Sequence, residues 1–149
     1  MSLIELISEE MIKVPLMAWD KDGVIQELAE LLARQGKATD AQSLVAAVKA
    51  REALGSTGLA EGIAVPHGKT SAVKSLCVAI GISPEGIDFE AEDGKLSKIF
   101  FLIAAPPNQA GPHIQALAEI AALAHSRFLL DALVKAESAL EVVRLLQGD

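Results

Sequence analysis

Apolar side chains recur three and four residues apart along several stretches of the chain, and each such stretch predicts a helix with one buried face. Val24, Leu28, Leu31 and Leu32 follow Asp20, a residue suited to capping, and Gly36 ends the pattern. Leu44, Val45 and Val48 repeat the arrangement behind Asp40 and stop before Gly55, which places Arg51 on the last turn of a second helix. Later in the chain Ile114, Leu117, Ala118, Ile120 and Ala121 form another such stripe, with His113 opening that helix, and Phe128, Leu130 and Leu133 continue in a following one. Ser138 with Glu141 three residues on is a capping-box signature ahead of Val142, Val143, Leu145 and Leu146, so the last element is also a helix.

A different pattern marks the strands. Leu76 to Ile82 and Ile99 to Ala105 are near-continuous apolar runs of strand length, as expected where both faces of a sheet are covered. Pro84-Glu85-Gly86 and Glu92-Asp93-Gly94 read as turns around a small strand from Ile87 to Glu90, giving a hairpin-like meander. Ser8 to Met17, interrupted by Pro15, fits a short edge strand, because proline lacks the ladder donor. Gly55 to Gly68 reads as loop, brief strand at Ile63 to Val65, and loop. Helices, strands and helices again, without linker, repeat or low-complexity segment, describe one α/β domain of two or three layers over residues 1–149.

Composition narrows the function. Hydrophobic residues make up 51% of the chain but aromatics only 3%, and the formal net charge is -7. Nucleic acid is therefore not an expected partner, since the basic stripe and stacking rings that it needs are missing. The longest uninterrupted apolar stretch, Ile99 to Pro107, falls far short of the ~20 residues of a membrane helix, so no direct membrane insertion is expected. The sole cysteine, Cys77, lies in an apolar run and reads as a small core residue, and the opening MSLIELISEEM lacks the features of a signal peptide. A reducing cytoplasm is the expected setting.

Chemistry gathers around His67. Pro66 confines Val65 to extended geometry and stiffens the approach, and Gly68 lets the chain turn away, so the imidazole is presented rather than buried in a run. Two rival readings fail on spacing. Five residues separate Gly62 from Gly68-Lys69-Thr70 where a nucleotide-binding phosphate loop has four, and Pro66 removes a donor from that stretch. The histidines are not paired at ligand spacing, so neither a metal nor any other cofactor is expected.

The block REALGSTGLAEGIAVPHGKT, Arg51 to Thr70, resembles the active-site region of the fructose, mannitol and nitrogen-regulatory type of enzyme IIA in the bacterial phosphoenolpyruvate-dependent phosphotransferase system. The resemblance extends through Ile87-Asp88-Phe89, the apolar strand before Pro106, and His113-Ile114 with Leu117 and Ile120, and so covers nearly the whole chain. It implies a central mixed β-sheet flanked by helices. It also implies that His67 accepts a phosphoryl group from an HPr-type carrier and that His113 lies beside it. A neutral imidazole near pH 7 is a competent nucleophile, and its nitrogen-phosphorus bond stays reactive enough for onward transfer. Arg51, aided by Lys69, and the donors of Ser56, Thr57 and Gly58 are the candidates for holding the phosphate.

Where many relatives have Gly and Asn, this chain has Ala60 and Glu61, which sets a carboxylate in the same loop. His125 matches no functional position and receives no role. The acceptor is expected to be a separate protein, either an enzyme IIB in sugar uptake or a regulatory target. The Gly-Ser-Thr-Gly-Leu stretch ahead of the histidine favours the nitrogen-regulatory branch over a fructose- or mannitol-like component.

Overall fold

In the computed structural model, which describes residues 2–148, a five-stranded sheet separates two hydrophobic cores. Its antiparallel centre is β4 (Cys77–Ile87) paired with β5 (Ser97–Ala105). The edge strand β1 (Ile12–Lys13) runs parallel to β4, and β2 (Ile63–Ala64) and β3 (His67–Lys69) run parallel to β5 on its other side. The sheet is thus mixed, as the resemblance implied.

Alternation along β5 decides which core each side chain enters. Phe100, Leu102 and Ala104 face the core closed by α2 (Lys21–Arg34) and α3 (Ala41–Glu52). Ile99, Phe101, Ile103 and Ala105 face the other, closed by α4 (Ala110–Leu123), α5 (Arg127–Lys135) and α6 (Ala139–Gln147), with the one-turn helix α1 (Leu3–Leu6) at its margin. Both faces of the central strands are dry, which explains why those segments read as unbroken apolar runs. The predicted caps are in place: the Asp20 side chain accepts from the Gly23 amide, Asp40 from Gln42, and Ser138 from Glu141. Each is worth about 1 kcal/mol to its helix.

Two expectations need correction. Pro84-Glu85-Gly86 does not end a strand: β4 continues to Ile87, and these residues fall where its pairing with β5 shifts register between Ile82 and Ile87, so Pro84 interrupts no regular ladder. Ile87 to Glu90 is consequently no separate strand; it closes β4 and enters a turn in which the Asp88 side chain accepts from the Glu90 amide and Glu90 takes φ 55. The predicted edge strand at Ser8 to Met17 is only the two residues of β1, preceded by a 3-10 turn at Glu9–Met11. Among the described residues no helix is long and apolar enough to cross a membrane.

Candidate functional site

The segment read as a loop around His67 is in fact β3, in register with β5 so that His67 lies opposite Ile103. Gly68 sets its distance from α3, because a Cβ there would stand 2.9 Å from the Val48 amide nitrogen and 3.0 Å from the Ala47 carbonyl carbon. With hydrogen alone at that position, the strand seats against the helix and its two flanking residues reach a common cleft. That cleft, of about 380 Å³, is lined by Ala47 and Arg51 of α3, His67, Gly68 and Lys69 of β3, and His113, Ile114 and Leu117 of α4.

His67 is half-buried, and its Nδ1 lies 2.8 Å from the Val65 carbonyl oxygen. A carbonyl can only accept, so Nδ1 carries the proton and donates it, and the lone pair resides on Nε2. Burial pushes the pKa of His67 below its ordinary value; the bond to Val65 and the negative charge of Glu52 oppose that shift, and the positive charges of Arg51 and Lys69 add to it. The ring is therefore neutral, and nucleophilic at Nε2, at neutral pH.

His113 meets this ring edge to face, with centroids 4.9 Å apart. It is not the surface residue that its place near a helix start suggests: it is 4% exposed, on the inner side of the first turn of α4. Burial first, then the proximity of His67 and Lys69, lowers its pKa to about 4. Neither ring nitrogen has a hydrogen-bond partner among the described residues. Leaving such a group unpaired costs about 1–3 kcal/mol, so the site holds a polar contact in reserve at the wall of the cleft.

Arg51 lies on the last turn of α3, as predicted, and its Nη1 donates to the Gly55 carbonyl oxygen at 2.9 Å. A guanidinium has five N–H donors, so this bond leaves others for an anion in the cleft. Lys69, exposed on β3, supplies a second cation.

Ser56, Thr57 and Gly58 are not brought to the cleft. The Thr57 amide and hydroxyl both donate to the Glu52 carboxylate, the Ser56 hydroxyl donates to the Phe89 carbonyl, and the Gly58 amide donates to Ser56 Oγ. The sequence shows a glycine-rich stretch with apparently free donors; the fold engages them internally, through the acid next to Arg51 and the loop's own hydroxyl. Glu61 is also elsewhere: its carboxylate pairs with Arg127 at 2.8 Å and its amide donates to Asp93, so it does not oppose an anion beside His67. His125 is exposed and lines no part of the cleft. Cys77 is buried, and burial raises its thiol to about 11, which leaves it a poor nucleophile. Among the described residues no group of acidic, histidine and cysteine side chains is arranged to hold a metal.

The Val65 carbonyl and Glu52 were not identified from sequence as parts of this site. For the former a partial signal existed, since Pro66 confines Val65 to extended geometry. Together the cleft offers a neutral imidazole with a directed lone pair, a second neutral imidazole and two cations. This set suits the capture of an electrophilic, anionic group.

Residues 5–148 match the family described as phosphoenolpyruvate-dependent sugar phosphotransferase system, EIIA 2. The fructose-specific EIIABC component of Bacillus subtilis is 36% identical over 93% of this chain, which spans only 22% of that protein. A nitrogen regulatory protein of Pseudomonas aeruginosa is 34% identical, covering 80% of this chain and 77% of its own. Among solved structures, nitrogen regulatory protein IIA-Ntr from Neisseria meningitidis superposes with a TM-score of 0.88 at 30% identity, over 97% of this chain and 98% of that one. Enzyme IIAMTL from Escherichia coli, in a complex with phosphorylated enzyme IIBMTL, gives 0.81 at 29% identity, over 96% and 98%.

Proposed function

This chain belongs to the EIIA type 2 family of the phosphoenolpyruvate-dependent phosphotransferase system, and on that premise we propose that it carries a phosphoryl group on Nε2 of His67, received from the phosphohistidine of an HPr-type protein. The observation that carries this reading is the 2.8 Å contact of Nδ1 with the Val65 carbonyl, which leaves Nε2 free in a cleft shared with His113 and Arg51.

The Nε2 lone pair attacks phosphorus as the donor's nitrogen-phosphorus bond breaks, and the departing electron pair returns to the donor imidazole. His67 keeps its Nδ1 proton, so its ring becomes cationic as the new bond forms, and the Val65 carbonyl then faces positive charge, which strengthens the hydrogen bond. The transferring group needs in-line placement and stabilisation of its equatorial oxygens rather than covalent help. Arg51 and Lys69 supply the charge. One cation at 4 Å with an effective dielectric of 20 is worth on the order of 4 kcal/mol before desolvation. The net charge of -7 does not defeat this, because charges beyond a Debye length of about 8 Å are largely screened. His113, neutral, offers an N–H to a phosphoryl oxygen without adding the repulsion that a second imidazolium would bring to the cationic His67 ring.

For the acceptor, the nitrogen-regulatory reading is supported by the Gly-Ser-Thr-Gly-Leu stretch from Gly55 to Leu59 and by the close superposition on IIA-Ntr. In it, the phosphorylation state of His67 changes which protein the chain binds in the cytoplasm. A sugar-uptake reading, with a separate enzyme IIB as acceptor, is supported by the identity to the fructose-specific relative and by the fold shared with enzyme IIAMTL, solved with phosphorylated enzyme IIBMTL. Incubation with phosphoenolpyruvate, enzyme I and an HPr-type carrier tests the common core. The expected result is one acid-labile phosphoryl group in the intact mass, and an unmodified mass would overturn it. Capture experiments with the phosphorylated and unphosphorylated chain then separate the branches. A regulatory protein retains targets in one state only, whereas a relay passes its label to an enzyme IIB.

A further inference from the structure

Glu52 sits beside Arg51 in sequence but faces away from the cleft, with a side chain only 6% exposed. Its carboxylate accepts from the Thr57 amide at 3.2 Å, from the Thr57 hydroxyl, and from Lys21 Nζ at 2.8 Å. Lys21 is itself fixed, because its ammonium also reaches Glu90 at 3.2 Å and stands 4.8 Å from the centre of the Phe89 ring. From this anchor a continuous chain of contacts leads to the nucleophile. The Thr57 carbonyl accepts from the Val65 amide at 3.0 Å, Gly58 bridges Ala64, the Leu59 amide donates to the Ile63 carbonyl at 2.7 Å, and the Val65 carbonyl receives His67 Nδ1. Residues 57 to 59 therefore form a small antiparallel ribbon with residues 63 to 65, and Glu52 pins its first strand to α3.

We propose that Glu52, acting through Thr57, is the positioning residue that fixes the Val65 carbonyl and thereby the tautomer and orientation of His67. Glu52 touches neither the cleft nor the reacting atoms. Its charge also acts on the His67 pKa directly, but its effect on the tautomer passes through the ribbon: a displaced Thr57 lets the 63–65 strand shift, the 2.8 Å contact at Nδ1 lengthens, and the proton redistributes between the two ring nitrogens. A ring protonated on Nε2 has no lone pair facing the cleft. One carboxylate thus holds the nucleophile to the helix that carries Arg51, keeping imidazole and guanidinium in fixed relation. The positive charge of Lys21 offsets the burial of the carboxylate without adding a cation to the cleft.

The test reads the tautomer directly, in unphosphorylated protein, by nitrogen-15 chemical shifts of the His67 ring. This measurement does not depend on the carrier reading; the kinetic arm, phosphoryl transfer from an HPr-type donor, does rest on it. In the wild-type chain a single Nδ1–H tautomer is expected. Glu52→Gln removes the ion pair and Thr57→Val removes the hydroxyl bond. Both should give a mixed tautomer population and a transfer rate lower by roughly ten- to a hundredfold, with a smaller change in the KM for the donor. Thr57→Ser, which keeps the hydroxyl, should restore both readouts. Circular dichroism reports folding, and if Glu52→Gln unfolds, Thr57→Val against Thr57→Ser decides. Folded variants that keep the pure Nδ1–H tautomer overturn the proposal. Wild-type protein that shows the tautomer but accepts no phosphoryl group overturns the carrier reading and leaves the positioning role standing.

Discussion

His67 and His113 meet edge to face with ring centroids 4.9 Å apart, one half-buried and bonded to a main-chain carbonyl, the other enclosed and without a hydrogen-bond partner among the described residues. On the proposed carrier reading, the pair would divide the labour of a group transfer. The bonded ring has its lone pair directed, and the unbonded ring has its donor in reserve. Their environments set both neutral, since burial lowers each pKa.

His67→Ala should abolish incorporation of the phosphoryl group altogether while leaving the circular dichroism spectrum unchanged. Intact-mass measurement after incubation with the donor chain checks it. Incorporation at another residue would show that the cleft is not the acceptor.

His113→Leu should slow transfer on the order of a hundredfold, the usual loss on removing one donor from a developing anion. Single-turnover kinetics with phosphorylated donor would read it. Because Gln also donates, His113→Gln should lose less, and equal rates for the two would assign His113 to packing alone.

Acid should act on the site in two steps. The rate of phosphoryl acceptance should fall on an acid limb centred below 6.5, where His67, whose pKa is depressed, finally takes a proton on Nε2. Folding stability should respond separately through His113. Its folded pKa of about 4 lies below the unfolded value near 6.5, so the unfolded chain binds the extra proton and stability falls as pH drops from 6.5 to 4. The loss should reach about 2 kcal/mol after allowance for solvent screening at the cleft. Urea denaturation of wild type and His113→Gln across that range measures it, and the variant should lose the part due to His113 while keeping that of His67, whose pKa is also depressed.

Gly68→Ala should be disproportionately harmful for one methyl group. The added carbon meets main-chain atoms of Ala47 and Val48, which have little room to retreat, so a destabilisation of about 1–3 kcal/mol is expected. Transfer should weaken in the protein that remains folded, because β3 and α3 move apart and carry His67 away from Arg51. Thermal melts and transfer rates together check this.

Arg51→Lys should retain charge yet transfer more slowly than wild type, since a lysine cannot hold the Gly55 carbonyl and a phosphoryl oxygen in one planar fork. Arg51→Ala should be worse in the same assay, and its rate should lose part of the salt dependence.

Much of the architecture was legible because it follows from periodicity. The caps at Asp20, Asp40 and Ser138 and the buried runs around Ala79 and Leu102 are local signals that the tertiary structure reinforces. What failed was local evidence overruled by distant pairing. Pro84 and Gly86 look like a turn until β5 draws β4 past them, and His67-Gly68-Lys69 looks like loop until β5 offers three residues of parallel ladder. At the site, His67, His113 and Arg51 were found from residue identity and resemblance, and the fold brings them to one cleft. The donors of Ser56, Thr57 and Gly58 were misplaced for a physical reason: a sequence shows which groups can donate, but only packing shows that Phe89, Glu52 and the Ser56 hydroxyl oxygen have already received them.

The partner of His67 Nδ1 is an uncharged peptide oxygen, not a carboxylate as in hydrolytic triads. A carboxylate there would strongly favour the charged ring and lower the group-transfer potential of the phosphoramidate toward that of a trapped intermediate. A peptide dipole would steady such an adduct more mildly than a carboxylate, leaving its bond more reactive for onward transfer. On the proposed carrier reading, reversibility, the property that separates a courier from a sink, would trace to a main-chain atom that no side-chain substitution can directly remove.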